Sequence, residues 1–499
     1  MILKHFVLTV GLCCNPTLAV ADSDQPYVSN SAIFNIENSS LYNKNNQLEI
    51  PSLGTGSSQV DRIRDRLIGE KVYRQLHQHF PLISDPWLDN ELMSTFTNIL
   101  NQTDLGQTIA LVVVNDPQIN AFAVPGGLFA INSGLVFSSH NMDEVASVMA
   151  HEVAHVSQRH FIRSDEQFKG QALLAMAGIL IGTALVTMMQ STELGSMVLF
   201  GSQAAAANSQ LSYSRNQERE ADRIGMQYLV AAKYNPEAMP DFFETMNKTS
   251  VKVSFFPDFW LTHPKTSQRM SEARLRANQF PKIPYLQNKQ NNFEIIKWYL
   301  AVLSNQANDE QVFAIAGQNK IEGLIALAKL QLLRGDYSHA QTQLNLAKKI
   351  NSEHALVTLI QTDIYLGQNK VEDAYQTISA KQRITPENRA LSYKLAEVYI
   401  RQNNAKQAEQ LVNRFIKIND RDISGWQLLQ QAANLDKENP MRTVNVLRNR
   451  AEVQYWSGDE ENAIKSLLHA QRLAKDNNAM TARIDTRLKV MQEEHRLKI

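Results

Sequence analysis

Alanines recur at a fixed interval late in this chain, and that interval limits what its C-terminal half can become. Ala340, Ala374 and Ala408 stand 34 residues apart, as do Tyr365 and Tyr399. A second alanine stands 12 residues earlier in several units: Ala328 before Ala340, Ala396 before Ala408, Ala451 before Ala463. Small residues at such points let the two helices of a hairpin approach closely. Pro386 falls near the end of its unit. From about Asn292 the chain reads as helices with short polar turns and no strand-like runs. A hairpin of this size buries its apolar face only against neighbours, so several must stack into a solenoid. A generic helical bundle is the alternative.

The period is that of tetratricopeptide repeats, whose concave face normally binds other proteins. The chemistry lies upstream, in His151-Glu152-Val153-Ala154-His155. This H-E-x-x-H sits in a strong helical pattern. Residues four apart project from one helix face, so His151 and His155 can close on one metal ion. Glu152 stands beside the metal, where it can take a proton from a bound water. Zinc suits the set, because it binds imidazole well and lowers the pKa of its water towards neutrality. A five-residue pattern also arises by chance. Here the flanking Val145 to Ala150, Val153, Ala154 and Val156 describe a buried helix, where two histidines and a glutamate need a partner. Asn141, as N-cap, and Glu144, at the third helical position, mark its start.

A third ligand is available in Glu218. Ser214 followed by Gln217 is another capping-box pattern, and Glu218, Ala221, Asp222 and Gly225 then share one helical face. Two histidines and one glutamate form a known catalytic zinc set. Asp222, one turn after Glu218, can accept the free N–H of a liganding histidine and fix its tautomer. The alternative is that Glu218, Glu220 and Asp222 line the solvated face of a charged helix. Metzincins take their third ligand from H-E-x-x-H-x-x-G-x-x-H. Here Gln158 and Phe161 occupy the last two fixed positions. His160 is therefore out of register and reads as a surface or capping residue.

These blocks resemble the M48 metallopeptidases: H-E-x-x-H at His151 to His155, E-x-x-A-D at Glu218 to Asp222, and Asn120-Ala121-Phe122-Ala123-Val124-Pro125-Gly126-Gly127 with Gly134-Leu135. No motif departs from the family pattern. The resemblance covers roughly residues 60 to 285, and the domain order matches the family's periplasmic members in Gram-negative bacteria. It implies one Zn²⁺ per chain. It also draws in His263, of Leu261-Thr262-His263-Pro264, which would otherwise read as an isolated surface histidine. His263 would either polarise the substrate carbonyl or cap the zinc as a fourth ligand in a resting enzyme.

Thr108 to Val114 reads as a buried strand, and Ile119 to Val124 and Leu128 to Asn132 as two more, joined around Pro125-Gly126-Gly127. Peptidases of this type hold an extended substrate on a sheet edge. Asn120, Ala121, Phe122 and Ala123 would supply such an edge, or would be ordinary core hairpin. Gln171 to Met189 is 19 residues without a charge. A single membrane span there would divide the ligands between two sides. The preferred reading is an apolar helical hairpin over the cleft, or peripheral membrane contact through residues 171–200.

Residues 1–21 read as a signal peptide, with Lys4 and His5, an apolar run from Phe6 to Cys14, and Ala19-Val20-Ala21 as cleavage site. Leu12 before Cys13 argues against lipid attachment. Cys13 and Cys14, the only cysteines, would both be removed. The chain has no net charge, and loss of Lys4 leaves it near −1, so no basic excess argues for nucleic acid. Residues 22–58, rich in Ser, Asn and Gln, read as a loose segment.

The expectation is an α+β zincin-like metallopeptidase domain (59–288), mostly helical with a small sheet, followed by an all-α tetratricopeptide-repeat solenoid (292–499). Its function would be that of a periplasmic zinc-dependent endopeptidase in envelope quality control. The resemblance implies outer-membrane β-barrel proteins and their assembly machinery as partners of the repeats. A chaperone or assembly adaptor with a normally inactive protease is the alternative.

Overall fold

The computed structural model describes residues 59–105, 108–161, 214–253, 263, 267–285 and 287–496. The expected signal peptide, the loose segment and the apolar stretch 171–200 lie outside them. Among the described residues no helix is long and apolar enough to cross a membrane.

The chain enters through α1 (Gln59–His79), then β1 (Leu82–Ile83) and α2 (Pro86–Leu100). Asp85 caps α2, accepting from the N–H groups of Trp87 and Leu88. Strands β2 (Ala110–Val114), β3 (Ala121–Val124) and β4 (Leu128–Asn132) follow. The sheet order is β1-β2-β4-β3, with β2 and β4 parallel and the outer pairs antiparallel. The β3–β4 turn uses Gly126 and Gly127 at φ +87° and +80°, a region open to glycine at little cost. A Cβ on Gly126 would also sit 2.3 Å from the Asp65 carbonyl oxygen of α1.

Period-two alternation gives the sheet two apolar faces. Val113, Ala121, Ala123, Phe129 and Ile131 face one core with α2 and the helices after the sheet. Val112, Val114, Val124, Leu128 and Ala130 face a second core with Ile68, Val72 and Leu76 of α1. Next come α3 (Ser133–Ser138), α4 (Met142–Ser157), α5 (Arg215–Ala231), α6 (Ala238–Val253) and α7 (Ser267–Ala277).

From α8 (Gln287–Leu303) the described chain is all helical: α9 (Asp309–Ala316), α10 (Ile321–Leu333), α11 (Tyr337–Ile350), α12 (Ala355–Gly367), α13 (Val371–Ile384), α14 (Arg389–Arg401), α15 (Ala405–Ile416), α16 (Ile423–Leu435), α17 (Arg442–Trp456), α18 (Glu460–Leu473) and α19 (Asn478–His495). The small mixed sheet and the run of hairpins are the architecture the sequence implied. All seven alanines of the 34- and 12-residue pattern are fully buried. The expected junction at 288–292 falls within the first turns of α8.

The solenoid returns to the first described helix, α1. Val444, Trp456, Leu467 and Met491 share the second core with α1. Arg74 of α1 is 1% exposed. Its Nε donates to Glu460 at 2.8 Å and its Nη1 to Glu494 at 3.1 Å, and its guanidinium lies 4.4 Å from the Tyr455 ring centre. Lys71 pairs with Glu460, and Arg421 with Glu70. Breaking a buried pair from one side strands the other charge, at about 3–5 kcal/mol. Arg74→Ala is therefore expected to lower urea stability by about that much. A change under about 1 kcal/mol would show the cluster to be solvent-screened.

Candidate metal centre

Helix α4 starts where the Asn141 side chain accepts the Glu144 N–H at 2.9 Å. The Glu144 carboxylate reaches back past the cap, to the His140 N–H. Every residue from Met142 to His155 is buried, so both histidines face protein. Helix α5 opens with a full capping box between Ser214 and Gln217. It packs closely on α4, because Gly225 has no side chain: a Cβ there would lie 3.0 Å from the Ala150 carbonyl oxygen and from His151 Cα.

This contact faces Glu218 towards the histidine pair. His151 Nε2 and His155 Nε2 are 3.0 Å apart, and His155 Nε2 is 3.3 Å from Glu218 Oε1. His263 closes the group: its Nδ1 lies 3.0 Å from Glu218 Oε1 and 3.3 Å from His151 Nε2. All four residues are at most 3% exposed. Zinc–nitrogen bonds of about 2.0–2.1 Å place tetrahedral ligand atoms about 3.3 Å apart. The observed edges fit that figure, and three imidazoles with one carboxylate suit zinc. Among the described residues this is the one group of three or more His, Cys, Asp or Glu side chains able to hold a metal.

Glu152 stands outside the donor set, its Oε1 3.4 Å from His263 Nε2. Burial pushes its carboxyl up, against His263 and His151. Burial also pushes His155 well below the ordinary histidine value, keeping the ring neutral with a lone pair to offer. It would raise Glu218 too, but His263 and Arg269 outweigh it and hold that carboxyl well down. Asp222 Oδ1 meets His151 Nδ1 at 3.0 Å, the outer contact expected for it.

Two residues escaped the sequence reading. Arg269 of α7, 2% exposed, donates to both oxygens of Asp222 at 2.7 and 2.8 Å. Its Nη1 lies 2.5 Å from Glu218 Oε2, and it also donates to the His263 carbonyl at 3.4 Å. It neutralises the carboxylates that burial would otherwise make costly. His160 is the second. Expected as a surface or capping residue, it is fully buried, with Nδ1 3.0 Å from His155 Nδ1. The α-helical register ends before it: Arg159 takes φ +53° and turns the chain back under α4.

Strand β3 forms an edge of the sheet and packs against α4. Ala121 and Ala123 turn inward and Phe122 is half-buried. Asn120 stands just ahead of it, its Oδ1 accepting the Ala121 N–H.

A histidine pair on one buried helix, with a helix packed across it that brings Glu218 to the pair, defines a zinc metallopeptidase of zincin type. The chain belongs to peptidase family M48, whose model matches residues 86–277. A tetratricopeptide-repeat model matches residues 365–433. The chain is 30% identical over 457 residues to the β-barrel assembly-enhancing protease of Escherichia coli K12, covering 89% of this chain and 91% of that one. The corresponding Yersinia pestis protein is 32% identical, over 88% and 90%. The mitochondrial metalloendopeptidase OMA1 of Saccharomyces cerevisiae is 32% identical over 209 residues, 39% of this chain and 52% of its own length.

Proposed function

We propose that this chain is a periplasmic zinc endopeptidase of envelope quality control, degrading misassembled outer-membrane β-barrel proteins and assisting their assembly. The convergence of His151, His155, Glu218 and His263 beside Glu152 carries the enzymatic reading. The β-barrel clients rest on the names of the relatives, and the periplasmic address on the signal peptide read at residues 1–21. In this reading the peptidase spans 59–288 and the repeats, 292–499, bring clients and assembly machinery to it.

His151, His155 and Glu218 would hold the zinc, which would supply a Lewis acid and a water acidified towards neutrality. Glu152 takes the proton of the attacking water and returns it to the leaving amine. Asp222 keeps His151 in the tautomer that presents Nε2. The edge formed by Asn120, Ala121, Phe122 and Ala123 pairs with the backbone of an extended substrate, which needs no particular side chains. His263 would cap the site, its Nδ1 serving as a fourth donor and holding the zinc closed to water until it moves away.

The test is the full chain against an unfolded outer-membrane β-barrel protein and a folded soluble control. One zinc per chain and preferential cleavage of the unfolded barrel are expected. His263→Ala should raise the rate while the zinc stays bound. A large loss of activity with zinc retained would reverse the assignment of His263, making it the group that polarises the carbonyl. Zinc-loaded protein inert towards both substrates, with or without His263, would remove the peptidase reading.

A further inference from the structure

The two zinc-facing histidines of α4 are backed in different ways. His151 meets a carboxylate directly, Nδ1 to Asp222 Oδ1 at 3.0 Å. His155 meets another imidazole: its Nδ1 lies 3.0 Å from Nδ1 of His160. His160 in turn places Nε2 3.0 Å from Glu220 Oε2. The order is carboxylate, imidazole, imidazole, metal position.

Proton placement follows from one end. If His155 offers its Nε2 lone pair to the metal, its hydrogen is on Nδ1 and is donated to His160. His160 Nδ1 must then carry a lone pair, so its hydrogen is on Nε2 and goes to Glu220. Each step fixes the next tautomer, and Glu220 anchors the far end. The two rings stand 80° apart with centres 4.8 Å apart, so the ring planes cross nearly at right angles.

The surroundings hold this arrangement. Arg159, just past the end of α4, adopts φ +53°, the left-handed turn with which helices commonly end. That turn brings His160 back to the base of His155, five positions earlier. Gln217, whose Oε1 closes the α5 capping box, uses its Nε2 to donate to the His160 carbonyl at 3.0 Å. Glu220 comes from the same helix. His160 is fully buried, while the Glu220 side chain is 22% exposed.

We propose that His160, backed by Glu220, is a positioning residue for the metal, setting the tautomer and ring angle of His155 through an imidazole relay. The proposal rests on His155 being a zinc ligand. Outer partners of liganding histidines are worth about 10–100-fold in metal affinity. Asparagine offers a carbonyl oxygen near the place of a histidine Nδ1, so His160→Asn can still accept from His155.

The experiment measures zinc affinity of the full chain by chelator competition, and the visible spectrum of its cobalt form. His160→Ala is expected to lose about 10–100-fold in zinc affinity and to shift the cobalt bands. His160→Asn should restore most of the affinity and the wild-type spectrum. Glu220→Ala should lose about tenfold, the lower end of that range, and add nothing further in a His160→Ala background. If His160→Ala does not fold, Glu220→Ala carries the test from its partly exposed site. Wild-type affinity and spectrum in either alanine variant, with His155→Ala losing the metal, would overturn the relay alone. Full zinc retention by His155→Ala would instead overturn the ligand set on which the relay rests.

Discussion

Glu152→Gln is expected to abolish proteolysis and leave the zinc in place. Positioned general bases contribute about 10²–10⁴-fold, and the amide keeps shape and burial while losing the ability to take a proton. The geometry separates this residue from the metal. The four donor atoms cluster without it, and its Oε1 lies 3.4 Å from His263 Nε2. Burial pushes its carboxyl up, towards the proton affinity a base needs near neutral pH. Glu218→Ala is the contrasting variant, because it removes the anionic member of the donor set. Zinc content by mass spectrometry and cleavage of an unfolded substrate decide the matter together. If Glu152→Gln loses metal as Glu218→Ala should, the roles have been divided wrongly.

Arg269→Met should produce a large change in stability, and the size should depend on metal. The guanidinium is held between Asp222 and Glu218, each at most 2% exposed. Removing a buried charge partner costs about 3–5 kcal/mol. In chelator-treated protein the full cost should appear as a loss of urea stability. In zinc-saturated protein the ion brings positive charge to the same carboxylates, and the loss should shrink markedly. Equal losses in both states would show that Arg269 acts by packing, through its stack on Phe243 at 5.3 Å, and not by charge.

The parts of this molecule that are local in sequence are the parts that could be read from it. The caps of α4 and α5 are contacts three residues long. Strand β4 runs from Leu128 to Asn132 as its pattern indicates, and β3 begins at Ala121, two residues later than the apolar run that suggested it. β1, of two residues, is too short to carry a pattern. The parallel pairing of β2 with β4 is not readable either, since it depends on which strand ends up between which.

In the metal centre, the histidine pair and the shared face of Glu218 and Asp222 follow from helical spacing. Arg269 does not: in Ser267–Ala277, with three arginines and one glutamate, it looks like any solvated cation. His160 was misread for a different reason. Register against the metzincin motif tests only for a third ligand, and a histidine that the left-handed turn at Arg159 brings behind His155 does not show in it. Nothing in the period of the repeats announces that the last of them close on α1.

That closure has a consequence in time. Arg74 is made early, and its partners Glu460 and Glu494 lie 386 and 420 residues further along. A nascent chain therefore holds the peptidase motif long before the surface that covers α1 exists. Gly126 packs on Asp65 and Gly458 on Arg74, so the same helix touches the turn before β4 and the turn before α18. Contacts this distant are late to form. A chain cut short before its last hairpin is expected to leave Arg74 and the apolar face of α1 open to water, and to be the least durable version of itself. Completion of the C-terminus thus becomes the step that makes the peptidase half permanent.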